Sequence, residues 1–333
     1  MMAASFPSPV LLCDIGGTNV RLSMATEPGK PLTKPIRLHT ADYPGLAEAI
    51  EAGLPQLPAR PRSVIACGAG PVVERSLKLT NAPWLMQGAD IAAALKLDQG
   101  LLLNDFEAQA LALPAIQPEW TLPIGSVPYG SGTHVILGPG TGLGIAALLD
   151  VDGRFVPVSS EACHIDFGPA NPDEQIFWPY VEPVHDRVTT EGLMSGGGLV
   201  RLHRARIAAK GEPRPDVDAA AVVAQALADR GSEAAKSCAM FWRLIARFAG
   251  DMAITFIAKG GITLSGGVLP HMAEFLDVAA FRAAFERKAP VERLPKNIAV
   301  RLLLEPDAVL AGMAAIAAAP EKYAVDYAAR AWV

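Results

Sequence analysis

The stretch Cys13–Ala25, CDIGGTNVRLSMA, decides the fold that this sequence predicts. An apolar run ends at Cys13, then two glycines, a threonine and an asparagine occupy 16–19, and apolar residues resume at Val20. Two apolar runs separated by such a short glycine-containing segment predict a β-hairpin. Successive backbone N–H groups in a tight turn form a concavity for anions, and glycine lets a phosphate come close. The turn therefore suits a phosphate, although an ordinary hairpin turn has the same pattern.

Length and composition limit the class of protein. The 333 residues fit two lobes of roughly 150 residues each, and with 51% hydrophobic residues the chain can fill large cores. A net charge of −5 and a pI near 5.7 argue against nucleic-acid binding, which requires a basic face. Cys13, Cys67, Cys163 and Cys238 are widely spaced, which predicts a reducing compartment and no disulfide framework. We see no secretory signal and no apolar run of about 20 residues, so we expect a soluble, cytoplasmic protein without a membrane partner.

A second glycine cluster, Gly138–Gly144 (GPGTGLG), also lies between two apolar strand-like runs. It lacks the Lys-Ser/Thr of a P-loop and the spacing of a dinucleotide-binding motif, and a strand follows it where those motifs need a helix. Its Gly-Thr pair echoes Gly17–Thr18, and the separation suits a duplicated α/β lobe. Either cluster alone could be a simple hairpin turn. The pair together favours two loops that hold a polyphosphate from two lobes.

The segment Leu101–Pro114, LLLNDFEAQALALP, delivers two polar residues to the end of an apolar strand. Ligands of open α/β sheets bind at the carboxyl ends of strands, so Asp105 there could accept a proton from a hydroxyl. An aspartate at this point also caps helices well, and spacing alone favours the cap. Elsewhere strand and helix signals alternate, which predicts an α/β fold. They include a helix over 216–230 and a longer one from Ser232 to Lys259.

Six motifs taken together resemble the bacterial glucokinases of the hexokinase–actin–Hsp70 ATPase superfamily. In chain order they are DIGGTNVR (14–21), NDFEA (104–108), GPGTGLG (138–144), EACHIDFGP (161–169), TEGLMSGGGLVRLHRA (190–205) and LSGGVLP (264–270). The resemblance runs from about Leu11 to Ala318. It implies a two-lobed actin-like ATPase fold, a duplicated ribonuclease-H-like α/β architecture with the active site in the interlobe cleft. The implied lobes are a small one at 8–113, rejoined by a helix at about 306–320, and a large one at 114–305. The tail 321–333 lies beyond the resemblance and has no implied role.

The resemblance also implies which residues bind ATP. They are the two glycine-rich turns and a third glycine pair that contacts the adenosine: Asp14, Gly16, Gly17, Thr18, Asn19, Gly140, Thr141, Gly142, Gly266 and Gly267. Asp14 is expected to hold Mg²⁺ through water, because magnesium keeps several of its waters when it binds proteins.

For the sugar, the resemblance implies that Asp105 is the catalytic base and that glucose is bound by Asn104, Asp105, Glu161, His164 and Glu191. Taken without the resemblance, Glu161 and His164 fit a surface acid and a satisfied histidine, and Glu191 fits a first-turn helix acid. The family usually has Glu-Gly-Gly-His where this chain has Glu-Ala-Cys-His, and losing both glycines restricts the backbone. Because Cys163 stands between two of these implied sugar ligands, the resemblance places it in or beside the glucose pocket. There the carboxylates of Glu161 and Glu191 are expected to disfavour its thiolate.

The implied function is that of a glucokinase, which transfers the γ-phosphoryl group of ATP to the 6-hydroxyl of glucose, as a homodimer. A hexokinase of broader range, or a kinase for mannose or fructose, fits the same motifs, and the sequence leaves the phosphoryl donor open. A non-catalytic sugar sensor would need a helix-turn-helix, for which the few residues before the first strand leave no room. A chaperone-like or actin-like ATPase would share the phosphate loops but lack the sugar-binding set.

Overall fold

A computed structural model describes residues 5–332. It has two compact units. The first comprises the described residues up to Pro118, then 148–158, and then those from Glu305 onward; the second comprises 119–147 and 159–304. Relative to the lobes expected from the sequence, the first unit also includes 114–118, the hairpin tip 148–158 and the tail. Each unit combines helices with β-strands, so the α/β prediction is confirmed.

The strands are short to medium in length. They are β1 Val10–Ile15, β2 Asn19–Ala25, β3 Ile36–His39, β4 Ser63–Gly68, β5 Val72–Val73, β6 Ser76–Lys78, β7 Leu85–Gln87, β8 Gln99–Asn104, β9 Thr121–Pro123, β10 His134–Pro139, β11 Leu143–Val151, β12 Arg154–Ser160, β13 Gly261–Leu264, β14 Val300–Leu303 and β15 Ala331–Trp332.

The helices vary more in length. They are α1 Leu46–Gly53, α2 Gly88–Leu95, α3 Asp105–Ala112, α4 Pro172–Phe177, α5 Thr190–Leu193, α6 Gly196–Ala208, α7 Ala219–Ala228, α8 Glu233–Thr255, α9 Val268–His271, α10 Val278–Glu286, α11 Arg293–Lys296, α12 Ala308–Ala318 and α13 Tyr327–Arg330. Of the helices within 5–332, none combines the length and apolarity needed to cross a bilayer.

The first six-stranded sheet has the order β15-β8-β4-β1-β2-β3. β1 and β2 form the predicted antiparallel hairpin, which sets Asp14 opposite Arg21. β1, β4 and β8 are parallel, so their carboxyl ends, at Ile15, Gly68 and Asn104, lie at the same edge of the sheet. β4 and most of β1 and β8 are buried, which explains their nearly continuous apolar sequence. This edge of the sheet brings the polar residues of β1 and β8 close together.

The helix α12 packs against α3 and β1 in the first unit. Its backbone comes so close to α3 that a Cβ added at Gly312 would overlap Ala112. α12 has no charged residue, and residues on several of its sides are buried. Its composition therefore reflects a buried position, as expected for a helix that is apolar all round.

The tail, for which the sequence predicted no role, completes the first sheet. β15 pairs with β8 in antiparallel orientation and so covers the outer edge of that strand. The Trp332 ring is 3% exposed and fills the space over Gly88 and Gly100, where an added Cβ would overlap the indole. The guanidinium of Arg330 donates to both carboxylate oxygens of the buried Glu107 at 2.5 Å. The tail thus belongs to the hydrophobic core of the first unit.

The second sheet has the order β12-β11-β10-β13-β14-β9. β10, β13 and β14 are parallel, with Leu137 in register with Leu264. The long helix α8 packs against α6, α7 and α10, and most of its apolar face is buried. Ser232 caps α8 through its hydroxyl, as the sequence predicted.

The sequence predicted two helices that extend beyond the ends observed in the structure. The helix expected over 216–230 is α7, which begins after its cap Asp218 and is shorter at both ends. The helix expected to reach Lys259 ends at Thr255, because the chain turns left-handed at Ile257 (φ 48°). The amide of Ala258 then donates back to the carbonyl of Ala253 at 3.0 Å, which closes the last turn.

Candidate active site

The hairpin turn between β1 and β2 presents bare backbone to solvent. Gly16, Gly17, Thr18 and Asn19 are all exposed. The amide of Gly16 donates to the carbonyl of Asn19 at 2.9 Å, which closes the turn. Thr40 anchors the turn from outside, because its hydroxyl donates to the Gly16 carbonyl at 2.8 Å and its amide to the Thr18 carbonyl at 2.9 Å. The turn is therefore held in one shape while its outer surface stays accessible.

Packing within the first unit gives a further reason for one of these glycines. A Cβ added at Gly17 would lie 2.9 Å from the Cβ of Asn81 and 3.0 Å from its carbonyl oxygen. A side chain at this position would thus push against the segment that carries Asn81. The sequence argument assigned both glycines to phosphate approach, and for Gly17 the close contact with Asn81 adds to that requirement. Gly16 meets only ordinary contacts, 3.4 Å from the nearest atom.

Asp14 is the centre of a charged network in the first unit. The Arg21 guanidinium binds the Asp14 carboxylate, donates to the Pro306 carbonyl and lies 3.1 Å from Asp307. On the other side, the Cys67 thiol donates to the second oxygen of Asp14 at 3.4 Å. Sequence reasoning gave Arg21 and Asp307 no role. The hairpin register could have revealed Arg21, which faces Asp14 directly, but its contact with Asp307 joins residues 286 positions apart.

At the end of β8 the helix cap is Asn104. Its side-chain oxygen accepts from the amides of Phe106 and Glu107 at 3.0 and 3.1 Å, and its amide nitrogen donates to the Gly70 carbonyl at 3.1 Å. The sequence favoured Asp105 as the cap, and that expectation was wrong because the cap lies one residue earlier. Most of the hydrogen-bonding capacity of Asn104 is thus used within the protein, including a side-chain hydrogen bond that lowers the pKa of Asp105.

Asp105 is consequently available for chemistry. It stands in the first turn of α3, and its Oδ1 accepts from the Phe106 amide at 2.9 Å. Burial raises the pKa of its carboxyl above the ordinary value, the Phe106 amide opposes that shift, and the nearby Asp14 carboxylate adds to it. A partly desolvated carboxylate with a raised pKa is a better proton acceptor than an ordinary surface aspartate.

The second unit carries the other two glycine clusters at the ends of the adjacent strands β10 and β13. The amide of Ser265 donates to the carbonyl of Leu137 at 2.8 Å, which ties the strand ends together. A Cβ at Gly138 would lie 2.5 Å from Ser265, and Gly266 has a φ of 85° with no room for a Cβ beside the Pro139 carbonyl. Gly140 and Gly267, by contrast, have no atom within 4 Å of an added Cβ. The clusters form one surface, in which some glycines permit packing and others leave backbone open.

Glu191 links this surface to the predicted sugar ligands. It lies in the first turn of α5, and its Oε2 accepts from the Leu143 amide at 2.9 Å. A Cβ at Gly142 would stand 2.5 Å from the same oxygen, so glycine there makes room for the carboxylate. The start of α6 adjoins the loop as well, since the amide of Gly196 donates to the Gly140 carbonyl at 2.9 Å. Sequence reasoning missed this helix start, although the run Ser195–Gly198 was a visible signal of a cap.

The segment Glu161–His164 is a short 3-10 turn with its two polar side chains exposed. The Nε2 atom of His164 lies 3.6 Å from Glu161 Oε2, and its Nδ1 atom lies 4.0 Å from Glu191 Oε1. The three predicted sugar ligands of the second unit thus converge, with the imidazole between two carboxylates. Such a set can both donate to and accept from sugar hydroxyls.

The Ala162-Cys163 pair leaves this turn intact. Neither residue has a positive φ, so the turn does not require glycine. The buried hydroxyl of Thr190 approaches the carbonyls of Ala162 and Cys163 at 3.0 and 2.5 Å, and Arg187 donates to the carbonyl of His164 at 3.0 Å. Burial first, and then Glu191 and Glu161, raise the pKa of the Cys163 thiol to about 12, which matches the expectation that the carboxylates disfavour its thiolate.

The predicted residues thus form two groups. The first unit brings together Asp14, the turn Gly16–Asn19, Asn104 and Asp105. The second unit brings together the clusters Gly138–Gly144 and Gly266–Gly267 with Glu161, His164 and Glu191. The four cysteines are free, and all four are buried.

Comparison with known proteins identifies one family. The family model described as Glucokinase matches residues 11–320. A glucokinase of Rhizobium meliloti (strain 1021) is 40% identical over 334 aligned residues, which cover 98% of this chain and 97% of that protein. The crystal structure of a glucokinase from an Antarctic psychrotroph superposes with a TM-score of 0.83 at 26% identity, over 93% of this chain and 98% of that one. A ROK family glucokinase from Streptomyces griseus, in complex with glucose and AMPPNP, shares the fold with a TM-score of 0.63 at 19% identity, over 93% and 99%.

Proposed function

The chain belongs to the glucokinase family, and on that basis we propose how its residues carry out the phosphorylation of glucose by ATP. The activity itself, ATP-dependent transfer of a phosphoryl group to glucose, follows from the family. The residue roles, the attacked hydroxyl, the metal ion, the oligomeric state and the compartment are proposals. We also propose that the two units are the lobes of the hexokinase–actin–Hsp70 superfamily.

Asp105 is proposed as the general base for the 6-hydroxyl of glucose. The observation that carries this role is the arrangement at the end of β8, where the Asn104 side chain caps the helix and the Asp105 carboxylate is not needed as the cap. The raised pKa of Asp105 suits proton transfer. Transition states of phosphoryl transfer are loose, so alignment of the hydroxyl matters more than early removal of its proton. Asp105 therefore orients the oxygen first and accepts its proton late.

Glu161, His164 and Glu191, together with Asn104, are proposed to bind the other hydroxyls of glucose. The exposed carboxylate of Glu161 and the imidazole of His164 offer acceptors and a donor 3.6 Å apart. Glu191 already accepts one backbone amide, so its Oε1 atom is the one left for the sugar. A site of this kind discriminates against analogues that leave its polar groups unpaired.

ATP is proposed to bind at the glycine-rich surfaces of both units. In the first unit the turn Gly16–Asn19 presents its backbone to solvent. In the second, Gly140 and Gly267 leave backbone open, and Thr141 adds an exposed hydroxyl. The 13-residue helix α6 begins beside Gly140. Its N-terminus carries a partial positive charge that favours phosphate.

Mg²⁺ with ATP is the proposed cofactor, and Asp14 fits it. Asp14 and Asp105 are carboxylates close enough for one to raise the pKa of the other, and carboxylate oxygens are preferred magnesium ligands. Both Asp14 oxygens already have protein partners, Arg21 and Cys67, which favours contact through water. Such a cation supplies charge neutralisation on the phosphoryl oxygens.

We further propose a cytoplasmic homodimer. The four free cysteines fit a reducing compartment such as the cytoplasm. Light scattering during gel filtration measures the oligomeric state directly, and a monomeric mass would refute the dimer.

A coupled assay across glucose, mannose and fructose tests the substrate. Each sugar is offered with ATP and Mg²⁺, and kcat/KM is compared. We expect kcat/KM for glucose to exceed that for mannose or fructose by at least about tenfold. A single altered group on a substrate already changes kcat/KM by about that factor. Comparable values for mannose or fructose would instead support a broad-range hexokinase. ATP turnover that needs no sugar would overturn the sugar-kinase assignment altogether.

A further inference from the structure

The turn that carries the predicted sugar ligands also carries a thiol. Within the described residues 5–332, Glu161, Cys163 and His164 form a group in which one ligand atom from each side chain lies within 4.8 Å of the others. The Cys163 Sγ atom lies 3.7 Å from Glu161 Oε2, and His164 Nε2 lies 3.6 Å from that same oxygen. Thiolate, imidazole and carboxylate together are a ligand set for zinc and not for magnesium.

Two of the three spacings among these atoms approach those of a tetrahedral metal site, and the third, between Cys163 and His164, is within 4.8 Å. A Zn–S bond of about 2.3 Å and Zn–N and Zn–O bonds of about 2.0–2.1 Å place neighbouring ligand atoms about 3.3–3.6 Å apart. The two measured edges, 3.7 and 3.6 Å, need to shorten by only a few tenths of an ångström. The turn itself is fixed by Thr190 and Arg187, so its backbone is preorganised. Glu161 and His164 are exposed and can admit an ion, while Cys163 lies beneath them.

We propose that Glu161, Cys163 and His164 bind a soft divalent metal ion such as Zn²⁺, and that this ion competes with glucose. Metal binding needs the thiolate, so Zn²⁺ replaces the thiol proton and releases one H⁺ to solvent for each ion bound. The metal site stands on its own geometry, whereas the competition with glucose rests on the proposed function.

The site depends on the residue that departs from the family pattern. With glycine at position 163 the group would keep an imidazole and a carboxylate but lose its sulfur ligand. The thiol is what distinguishes a site that selects Zn²⁺ from a pair that binds metals weakly. We therefore expect soft metal ions to affect glucose binding by this chain only because Cys163 is present.

Direct metal binding tests the proposal with Co²⁺ and Zn²⁺ as probes. After treatment with chelator, wild-type protein is titrated with Co²⁺, and a thiolate-to-metal charge-transfer band in the near ultraviolet is expected at one ion per chain. Zn²⁺ should bleach the band. Calorimetry of Zn²⁺ binding in buffers of different ionisation enthalpy should report release of about one proton per ion, the thiol proton that binding displaces.

Two variants isolate the thiol. Cys163→Ala should abolish the band and weaken Zn²⁺ binding by at least about tenfold, the loss seen even when an outer partner of a metal ligand is removed. Cys238→Ala is the matched control, because Cys238 is also free and buried but lies in α8. It should bind like the wild type. A wild type without the band, or a Cys163→Ala variant that keeps it, would overturn the metal site.

Glucose separates this proposal from the proposed function. Saturating glucose should raise the apparent Kd for Zn²⁺, and Zn²⁺ should raise the KM for glucose of the wild type while leaving Cys163→Ala largely unaffected. Excess Mg²⁺ should displace neither Co²⁺ nor Zn²⁺ from the site. If Zn²⁺ binds through Cys163 but glucose does not affect it, the competition is overturned, and with it the assignment of Glu161 and His164 as sugar ligands.

Discussion

Replacing Asp105 with asparagine should remove most of the turnover while the protein stays folded. Asparagine has the same size and keeps a side-chain oxygen that can accept from the Phe106 amide, as Asp105 Oδ1 does at 2.9 Å in the wild type. It cannot take a proton from the sugar hydroxyl. Loss of a general base typically costs 10²–10⁴ in rate, which corresponds to about 3–5 kcal/mol of transition-state stabilisation.

The effects of this change on stability should be small and of opposite sign. Removing a negative charge from the first turn of a helix costs about 0.3–1 kcal/mol. Removing it also ends the repulsion from Asp14, which together with burial raises the pKa of Asp105. We therefore expect the free energy of unfolding to change by no more than about 1 kcal/mol, the scale of that helix-terminus term. Glucose affinity should change by less than about tenfold, since one neutral hydrogen bond is worth about 0.5–1.5 kcal/mol.

Steady-state kinetics with a coupled assay, calorimetry of glucose binding and urea unfolding measure the three quantities. Asp90→Asn is the matched control, because Asp90 also lies in the first turn of an eight-residue helix of the same unit, α2, and is exposed. It should keep wild-type kcat. Wild-type turnover in Asp105→Asn would refute Asp105 as the base. A fall in glucose affinity as large as the fall in kcat would reassign Asp105 to binding alone.

Four further results are expected. The kcat/KM for glucose should fall as pH decreases through the pKa of Asp105, which burial raises above the ordinary value of about 3.9, because only the ionised carboxylate accepts a proton; an acid limb at or below that value would contradict the shift. Glu191→Gln should raise the KM for glucose by about 10–100-fold with less effect on kcat, the loss of one charged hydrogen bond, and an unchanged KM would remove it from the sugar set. Gly266→Ala should raise the KM for ATP and cost more than about 1 kcal/mol of stability, since its φ is 85°, whereas Gly267→Ala, with open space around it, should be tolerated in stability measurements. Trp332→Ala should lower the free energy of unfolding by about 3–5 kcal/mol in urea, and an unchanged midpoint would show that the tail is dispensable.

The parts of the fold that depend on neighbouring residues were predictable from the sequence. The hairpin around Gly16 follows from two apolar runs and a glycine turn, and the start of α8 follows from Ser232 as its cap. The small three-stranded sheet β5–β7 was not predicted, because its strands of two or three residues have no detectable apolar period. The place of Trp332 could not be predicted either, since its partners Gly88 and Gly100 lie more than 200 positions earlier in the sequence.

The site was predictable in its residue types but less so in their division of labour. Polar residues at a strand end indicated chemistry at 104–105, but which of the two caps the helix depends on backbone angles that local spacing does not fix. Motif resemblance selected Glu161, His164 and Glu191, and the structure of the second unit brings them together. The bond from Glu191 to the Leu143 amide was beyond sequence reasoning, because it depends on how α5 lies beside the start of β11, 48 positions earlier in the chain.

The order in which the ribosome makes the chain gives the position of the tail a consequence for folding in the cell. The segments of the first unit are separated in the sequence by the whole of 159–304, so the second unit can emerge and fold while the first still lacks α12 and β15. During that interval the outer edge of β8 has no partner, and an open strand edge is a template for pairing with other nascent chains. The last residues of the first unit therefore act as the closing step of its assembly. A chain stalled on the ribosome before β15 emerges should need chaperone protection that a chain released with Trp332 in place does not.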